Sequence, residues 1–182
     1  KPEPIFAAFE KVKEARRGEI RVIMPTPQGR RFNQKMAEDF SKERRSLVFI
    51  CGHYEGIDAR VNKGIPLEEV SIGDFILTGG ELPAISMIDA ATRLIPGVLG
   101  RAASVWEESF ESSLLEYPLY TRADDFRGMQ VPEVLVSGNH AAIRDWRKTH
   151  ALINTQKKRP DLLSEATLTE KEKAQLSSLI DY

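Results

Sequence analysis

The chain has 182 residues, of which 41% are hydrophobic and 29% charged, enough for one medium-sized domain or one domain with a smaller one. Its 26 Lys and Arg residues against 27 Asp and Glu residues exclude a globally basic, histone-like binder, although local basic patches remain open. A single cysteine, Cys51, excludes an intrachain disulfide framework, and no apolar run approaches membrane-spanning length. We therefore expect a cytoplasmic protein with no membrane partner.

Helices and short β-type runs alternate from the first residues onward. Apolar spacing predicts a helix over 4–17 and a strand at Ile20–Met24, which ends in a loop, 25–30, that contains two prolines. A second helix is predicted over 32–40. The continuously apolar run Leu47–Cys51 is typical of a strand buried on both faces.

A double glycine dominates the next stretch. Phe75–Thr78 is predicted to be the third strand and to end at Gly79–Gly80, where the backbone must turn sharply or be approached closely. A helix follows, whose predicted core face is Leu82, Ile85, Ile88, Ala91 and Ile95. Strands that alternate with helices indicate a parallel α/β sheet, and its strand-end loops would meet along one edge as a ligand site.

The composition changes after residue 100. The acidic segment 101–115 shows weak periodicity and is interpreted as a linker, and 116–182 is predicted to be a mainly helical domain with an extended piece at Val134–Val136. Asn139 is a favourable N-cap for the helix that follows it. Thr169 with Glu172 forms a capping box for the last helix.

Each candidate site residue has an ordinary structural interpretation as well. An isolated Gly-Gly is a plain tight turn roughly two times in three, and no dinucleotide-binding or P-loop motif is present. Glu55 is either a solvated loop acid or an acceptor for a ribose hydroxyl. Arg93 is either a cation that favours a helix C-terminus or a donor to an anionic oxygen. Three histidines without ligand spacing predict no metal site.

A basic segment lies between residues 144 and 159. Its cations stand against one acid, Asp145, and beside Trp146. A solvated helix face is the usual interpretation, whereas the functional one is a contact surface for phosphates. The candidate substrate-binding residues are Arg144, Arg147, Lys148, Lys157, Lys158 and Arg159.

Five motifs carry a family resemblance. In order and spacing, GHYEGIDARV, SIGDFILTGGELPA, RLIPGVLG, YPLYTR and SGNHAAIRDWR resemble the bacterial tRNA (guanine-37-N1)-methyltransferases, the TrmD family of the SPOUT class. The likeness covers nearly the whole chain and begins about one βα unit into the family's sequence.

The resemblance implies a fold, a cofactor and partners. Residues 1–100 would form a parallel α/β domain with a deep trefoil knot, lacking the family's first βα unit, and the linker and a helical tRNA-binding domain would follow. S-adenosylmethionine would bind in the knot. The substrate would be tRNA with guanine-36 and guanine-37, and the protein would be an antiparallel homodimer whose sites are shared between chains.

The resemblance also assigns residues to the cofactor. Phe75 stands where tyrosine is common in the family, and His53 where arginine is common. The expected cofactor-binding residues are Pro25, Gly52, Glu55, Ser71, Ile72, Gly73, Phe75, Leu77, Gly79, Gly80 and Pro83.

Catalysis would need a base for the N1 proton of guanine and a donor near its O6 atom. Arg93 matches the family's arginine at O6, and Glu108 stands where the family usually has its catalytic aspartate. The family's reaction is associated with magnesium, which the sequence itself does not establish. Two alternatives stay open, a non-catalytic RNA-binding module and another SPOUT enzyme that methylates a ribose 2′-oxygen.

Overall fold

The structure is a computed structural model that describes residues 1–54, 56–99, 109–110 and 112–180, with the backbone alone for 178–180. The chain divides into two compact units, Lys1–Ala102 and Ala103–Tyr182. None of the described helices combines the length and apolar character needed to cross a bilayer.

Unit 1 is a mixed α/β structure built on a three-stranded sheet. The strand order is β2-β1-β3, and β1 runs parallel to both of its neighbours, so the predicted parallel α/β class is confirmed. Its elements are α1 (Pro2–Ala15), β1 (Ile20–Arg31), α2 (Gln34–Lys42), β2 (Ser46–Phe49), α3 (Arg60–Gly64), β3 (Glu68–Ser71) and α4 (Glu81–Thr92).

Helices cover both faces of this sheet. Val22 and Ile23 are adjacent in β1 and point to opposite faces, as successive strand residues do. Val22 joins a cluster with Phe9 of α1 and Val61 of α3. Ile23 joins a second cluster with residues of α2 and α4, among them Met87. The layers are therefore helix, sheet and helix.

The first strand is longer than predicted. Instead of ending at Met24, β1 continues through the proline-containing segment to Arg31. Pro25 and Arg30 both lie opposite Val70 of β3, so the four residues between them form a detour from the pairing. Prolines are tolerated here because they fit extended backbone where ladder bonds are interrupted.

The third strand is not where the sequence predicted it. Phe75–Thr78 is not a strand and belongs to the irregular loop that follows β3. The strand β3 was missed because it begins with two charged residues. The charge of Glu68 is compensated by Arg21, whose Nε lies 2.7 Å from Glu68 Oε1. β2 lies at a sheet edge and is half-buried, and its side chains pack on both faces of the sheet, as predicted: Leu47 and Phe49 contact one core cluster and Val48 the other.

Arg21 links three elements of unit 1. Its side chain is 11% exposed, and its guanidinium also contacts Asp39 of α2 at 2.6 Å and lies 4.9 Å from the centre of the Phe40 ring. The hydrogen bond from Arg21 is the main cause that holds the pKa of Glu68 below its usual range. This network fixes β3, and the loop that follows it, against β1 and α2.

Helix α4 buries a face that shares only Ala91 with the predicted one. Its core contacts come from Pro83, Ala84, Met87 and Ala91. The larger side chains of Leu82, Ile85 and Ile88 are 61%, 60% and 44% exposed. A second apolar face of α4 therefore lies on the surface.

Unit 2 is mainly helical. Leu114, Leu152 and Leu176 form its core. A short hairpin, β4 (Asp125–Phe126) and β5 (Met129–Gln130), precedes α5 (Glu133–Val136), α6 (His140–Lys158), α7 (Pro160–Leu163) and α8 (Glu170–Ile180).

Both predicted caps in unit 2 are confirmed. The Oδ1 atom of Asn139 accepts from the backbone N–H groups of residues 141 and 142. Thr169 N–H donates to Glu172, and Glu172 N–H donates to Thr169 Oγ1. The extended piece predicted at Val134–Val136 is wrong, because these residues form the helical turn α5.

Candidate functional site

A cavity of about 650 Å³ lies in unit 1, beside the carboxyl ends of β2 and β3 and the detour of β1. Its volume falls within the range of small-molecule sites, roughly 300–1,000 Å³. Of the eleven residues expected to bind a cofactor, Glu55 lies outside the described residues. The other ten all line the cavity: Pro25, Gly52, Ser71, Ile72, Gly73, Phe75, Leu77, Gly79, Gly80 and Pro83.

The two glycine loops of this cavity are joined to each other. The Gly80 N–H donates to the Gly52 carbonyl oxygen at 2.9 Å, and His53 and Gly79 form a backbone bridge next to it. His53 Nε2 also lies 2.7 Å from Glu81 Oε1. Segments that are distant in the sequence thereby form one continuous rim.

Backbone supplies much of the cavity wall. A Cβ atom on Gly80 would lie 3.0 Å from Cys51 Cα, so that only glycine fits without movement of the backbone. The turn after β3 is fixed by Ser71, whose Oγ donates to the Gly73 carbonyl oxygen and accepts from the Gly73 N–H. These contacts hold peptide groups of the two glycine loops at the cavity, beside the side chains that also line it.

The charges at the cavity favour a cationic or zwitterionic ligand. Among the described residues that line it there is no Lys or Arg, whereas Glu69 is present and accepts from Asn62 Nδ2 at 2.7 Å. A phosphate would lack a cationic partner here. Burial, with a smaller contribution from Glu81, raises the pKa of the Cys51 thiol, so Cys51 stays protonated and is a poor nucleophile at neutral pH.

Sequence reasoning missed Asn62 and Glu69 as part of the wall. Both belong to elements that were not predicted, α3 and β3. No apolar alternation marked this strand, because Val70 is the one apolar residue in Glu68–Ser71.

The predicted basic surface of unit 2 is divided between two places. Arg144 and Arg147 line a second cavity, of about 540 Å³, at the start of α6. Lys157 and Lys158 are exposed in the last turn of that helix. Lys157 is 13 residues beyond Arg144, about 20 Å at 1.5 Å per residue.

The other two cations of that prediction have acidic neighbours. Lys148 Nζ lies 3.2 Å from Glu172, and the Arg159 guanidinium lies 2.6 Å from Asp161. These contacts tie α6 to α8 and to the start of α7. Both residues therefore have a structural role that the sequence pattern alone did not show.

The comparison with protein families is decisive for this chain. Residues 1–165 match the family model described as tRNA (Guanine-1)-methyltransferase TrmD. The chain belongs to this family.

Curated TrmD relatives match over nearly the whole chain. The Exiguobacterium sibiricum relative is 56% identical over 178 residues, which is 98% of this chain and 72% of the relative. The Listeria monocytogenes relative is 52% identical over 182 residues (100% and 74%), and the Bacillus subtilis relative 50% over 177 residues (97% and 72%). All three are named tRNA (guanine-N(1)-)-methyltransferase.

The two residues that the TrmD resemblance assigns to catalysis are Arg93 and Glu108. Arg93 is half-buried directly after α4, where its backbone N–H donates to the Asp89 carbonyl oxygen, and it is not among the residues that line the first cavity. Glu108 lies outside the described residues.

Proposed function

We propose that this TrmD-family protein transfers the methyl group of S-adenosylmethionine to N1 of guanine-37 in tRNA, beside the anticodon. The observation that carries the proposal is the convergence of ten expected cofactor residues on one cavity, in a chain that belongs to this family. The cytoplasm, where tRNA is modified, is the compartment that fits this activity.

The first cavity fits S-adenosylmethionine in three respects. Its volume suits a nucleoside-sized ligand. Ile72, Leu77 and Pro83 offer apolar surface for a flat base, and the glycine loops offer peptide groups to its polar edge. Glu69 complements positive charge on the ligand. When bound, the sulfonium group of the ligand supplies an electrophilic methyl group.

In this reaction the protein must accept one proton from guanine and stabilise the negative charge that develops on it. Guanine N1 carries a proton and is a poor nucleophile until that proton leaves. In our proposal Glu108 accepts it, and Arg93 donates to O6 as negative charge develops there. Glu108 keeps the carboxylate of the family's aspartate and places it one methylene further from the backbone.

A homodimer with shared sites is part of the same proposal. It is supported by the second apolar face of α4, since a contiguous exposed apolar patch is typical of an interaction site. The deep trefoil knot is proposed on family membership, together with the joined loops around Gly52 and Gly80.

The dimer is tested with Ile85→Glu, which places a charge in the middle of that face. We expect the mass measured by light scattering to fall to that of one chain, while thermal unfolding stays cooperative. Ser86→Glu, one residue along the exposed surface of α4, is the matched control and should stay dimeric. An unchanged mass for Ile85→Glu would remove this face from the interface.

The activity is tested with tRNA transcripts and S-adenosylmethionine. We expect N1-methylguanosine at position 37, formed only when guanine also occupies position 36. A 2′-O-methylated product would instead assign the protein to another SPOUT activity. A failure to bind S-adenosylhomocysteine in calorimetry would favour a non-catalytic RNA-binding module. The same assay with magnesium or with a chelator reports whether the metal takes part.

Glu108→Gln tests the base. Loss of a general base lowers kcat by about 10²- to 10⁴-fold, whereas the affinity for S-adenosylhomocysteine should change little. Glu107→Gln removes the same charge one residue earlier and is the matched control, with turnover expected near normal. Turnover of Glu108→Gln within a few-fold of the unmodified protein would contradict the assignment.

A further inference from the structure

The second cavity brings together two motifs that the cofactor site does not use. It lies wholly within unit 2, and the segment Tyr117–Arg122, the YPLYTR motif, forms one wall. His140, Arg144 and Arg147 of the motif SGNHAAIRDWR form part of the other. Two motifs separated in the sequence therefore build one site of about 540 Å³.

The charge of this cavity is positive. Among the described residues that line it, Arg122, Arg144 and Arg147 stand against one carboxylate, that of Asp124. Arg144 is exposed, so its guanidinium is accessible to a ligand. Arginine presents a planar group of donors that matches phosphate geometry. An anionic ligand is therefore favoured here, in contrast to the first cavity.

The same cavity offers flat and apolar surface. Tyr120 is 48% exposed, and its ring centre lies 6.3 Å from that of Trp146, which itself stacks on His150 at 3.9 Å. The Arg147 guanidinium lies 4.8 Å from the centre of the Tyr117 ring. The aromatic rings are thus supported from one side by α6, and Tyr120 keeps accessible surface.

The wall that carries these rings is held in place before any ligand arrives. The Leu115 N–H donates to Thr155 Oγ1 at 2.8 Å, and Asn154 Nδ2 donates to the Glu116 carbonyl oxygen at 2.9 Å. Leu114 is buried in the core of unit 2. A site held in this way loses little conformational entropy on binding.

Cations beside accessible aromatic rings are the combination that binds unstacked nucleotides, because a base stacks on the ring while its phosphate meets the cation. We infer that the second cavity receives a single unstacked nucleotide of the tRNA. Its base lies against Tyr120 and the 68%-exposed Leu119, and its phosphate is bound by Arg144 and Arg122. This inference rests on the proposed function, since it takes tRNA to be the substrate.

The cations of α6 are expected to contribute unequally to tRNA binding. Arg144 belongs to the nucleotide site, whereas Lys157 lies about 20 Å further along the helix and supplies at most general attraction to the phosphate backbone. Replacement of either residue by glutamine removes one charge, so the pair is a matched test of location rather than of total charge.

The experiment measures the affinity of the full chain for a labelled tRNA transcript, with S-adenosylhomocysteine present. Arg144→Gln should weaken binding about tenfold or more and reduce the slope of log K against log salt by about one. Lys157→Gln should weaken binding less than about threefold. Equal losses for the two variants would overturn the inference.

Stacking is tested separately. Tyr120→Ala should weaken binding about five- to fiftyfold with an unchanged salt slope, because it removes ring surface and no charge. Leu119→Ser, at a more exposed position, serves as a second variant if thermal unfolding shows that Tyr120→Ala is poorly folded. In a tRNA with 2-aminopurine at single positions, one position should change its fluorescence on binding, and that change should be lost in these variants.

The outcomes separate this inference from the proposed function. If the unmodified chain methylates tRNA while Tyr120→Ala, Leu119→Ser and Arg144→Gln bind normally, only the nucleotide site is overturned. If the unmodified chain binds no tRNA, both proposals fall. If the variants lose tRNA affinity while no methyl transfer occurs with the unmodified chain, the nucleotide site stands without the enzymatic activity.

Discussion

The two cavities differ in the part of the chain that faces the ligand. In unit 1 the lining includes five glycines and, among the described residues, no Lys or Arg side chain. In unit 2 the lining includes two tyrosines and three arginines, carried by α6 and the segment before the hairpin, together with apolar side chains. The first site selects by shape and hydrogen-bond pattern, and the second by charge and stacking.

This difference predicts different sensitivities to mutation. Where a glycine contacts main chain, an added methyl group is poorly tolerated, because main chain cannot move aside as a flexible side chain can. A wall of long side chains tolerates changes of volume but not loss of charge or ring surface. Glycine-to-alanine substitutions at the cavity wall should therefore lower ligand affinity in unit 1, whereas those in unit 2 should leave ligand affinity unchanged.

The largest effect is expected from Gly29→Ala. A Cβ atom at residue 29 would lie 2.3 Å from the Val70 backbone nitrogen, so β1 and β3 would have to separate. We expect a loss of about 3 kcal/mol or more in the free energy of unfolding, measured by urea denaturation. Gly18→Ala is the control: its φ is +78° with no atom within 4 Å, so it should cost only about 1 kcal/mol.

A smaller and more local effect is expected from Gly80→Ala. The added methyl group would press on Cys51 Cα at 3.0 Å and spread the joined loops. Affinity for S-adenosylhomocysteine, measured by calorimetry, should fall about tenfold, or about 1.4 kcal/mol, while tRNA binding through unit 2 stays unchanged. Gly128→Ala, in the hairpin of unit 2, should leave both affinities intact. An unchanged affinity for Gly80→Ala would contradict a backbone-lined cofactor site.

The smallest effect concerns acid stability of unit 1. Hydrogen bonds from Arg45 lower the pKa of Glu43 to about 2, below the ordinary value of 4.5. The unfolded chain therefore binds this proton more readily than the folded one, and the stabilisation present above pH 4.5 is lost as the pH falls toward 2.

Glu43→Gln tests this contribution. The variant should unfold at a lower temperature than the unmodified chain at pH 6, by roughly 3 °C, because the Arg45 side chain is 52% exposed and solvent screens its pair with Glu43. The difference should shrink as the pH falls from 4.5 toward 2. A difference that stays constant over that range would assign the effect to something other than the ionised carboxylate.

The helix caps and glycine loops were predicted correctly because the interactions that form them are local in the sequence. The cap at Asn139 and the capping box of Thr169 with Glu172 each involve groups within three residues of one another. The glycine loops around residues 52 and 79 were recognised for the same reason, and the cavity brings them together.

The failures have tertiary causes. Phe75–Thr78 has the composition of a strand, but Glu68–Ser71 is the strand, because Arg21 compensates the charge that Glu68 brings to the sheet. In α4 two faces are apolar, and the periodicity alone cannot indicate which one the core takes. The core takes the face that carries Ala84, Ala91 and the fully buried Met87.

The hydrogen bond from Gly80 to Gly52 joins residues 28 positions apart and lies at the rim of the first cavity. Its amide proton can exchange with deuterium only when the two loops separate, so its exchange rate counts opening events of this rim. A ligand that binds only the joined loops should slow that exchange in proportion to its saturation. The exchange of one backbone amide thus reports on the opening of the cofactor site.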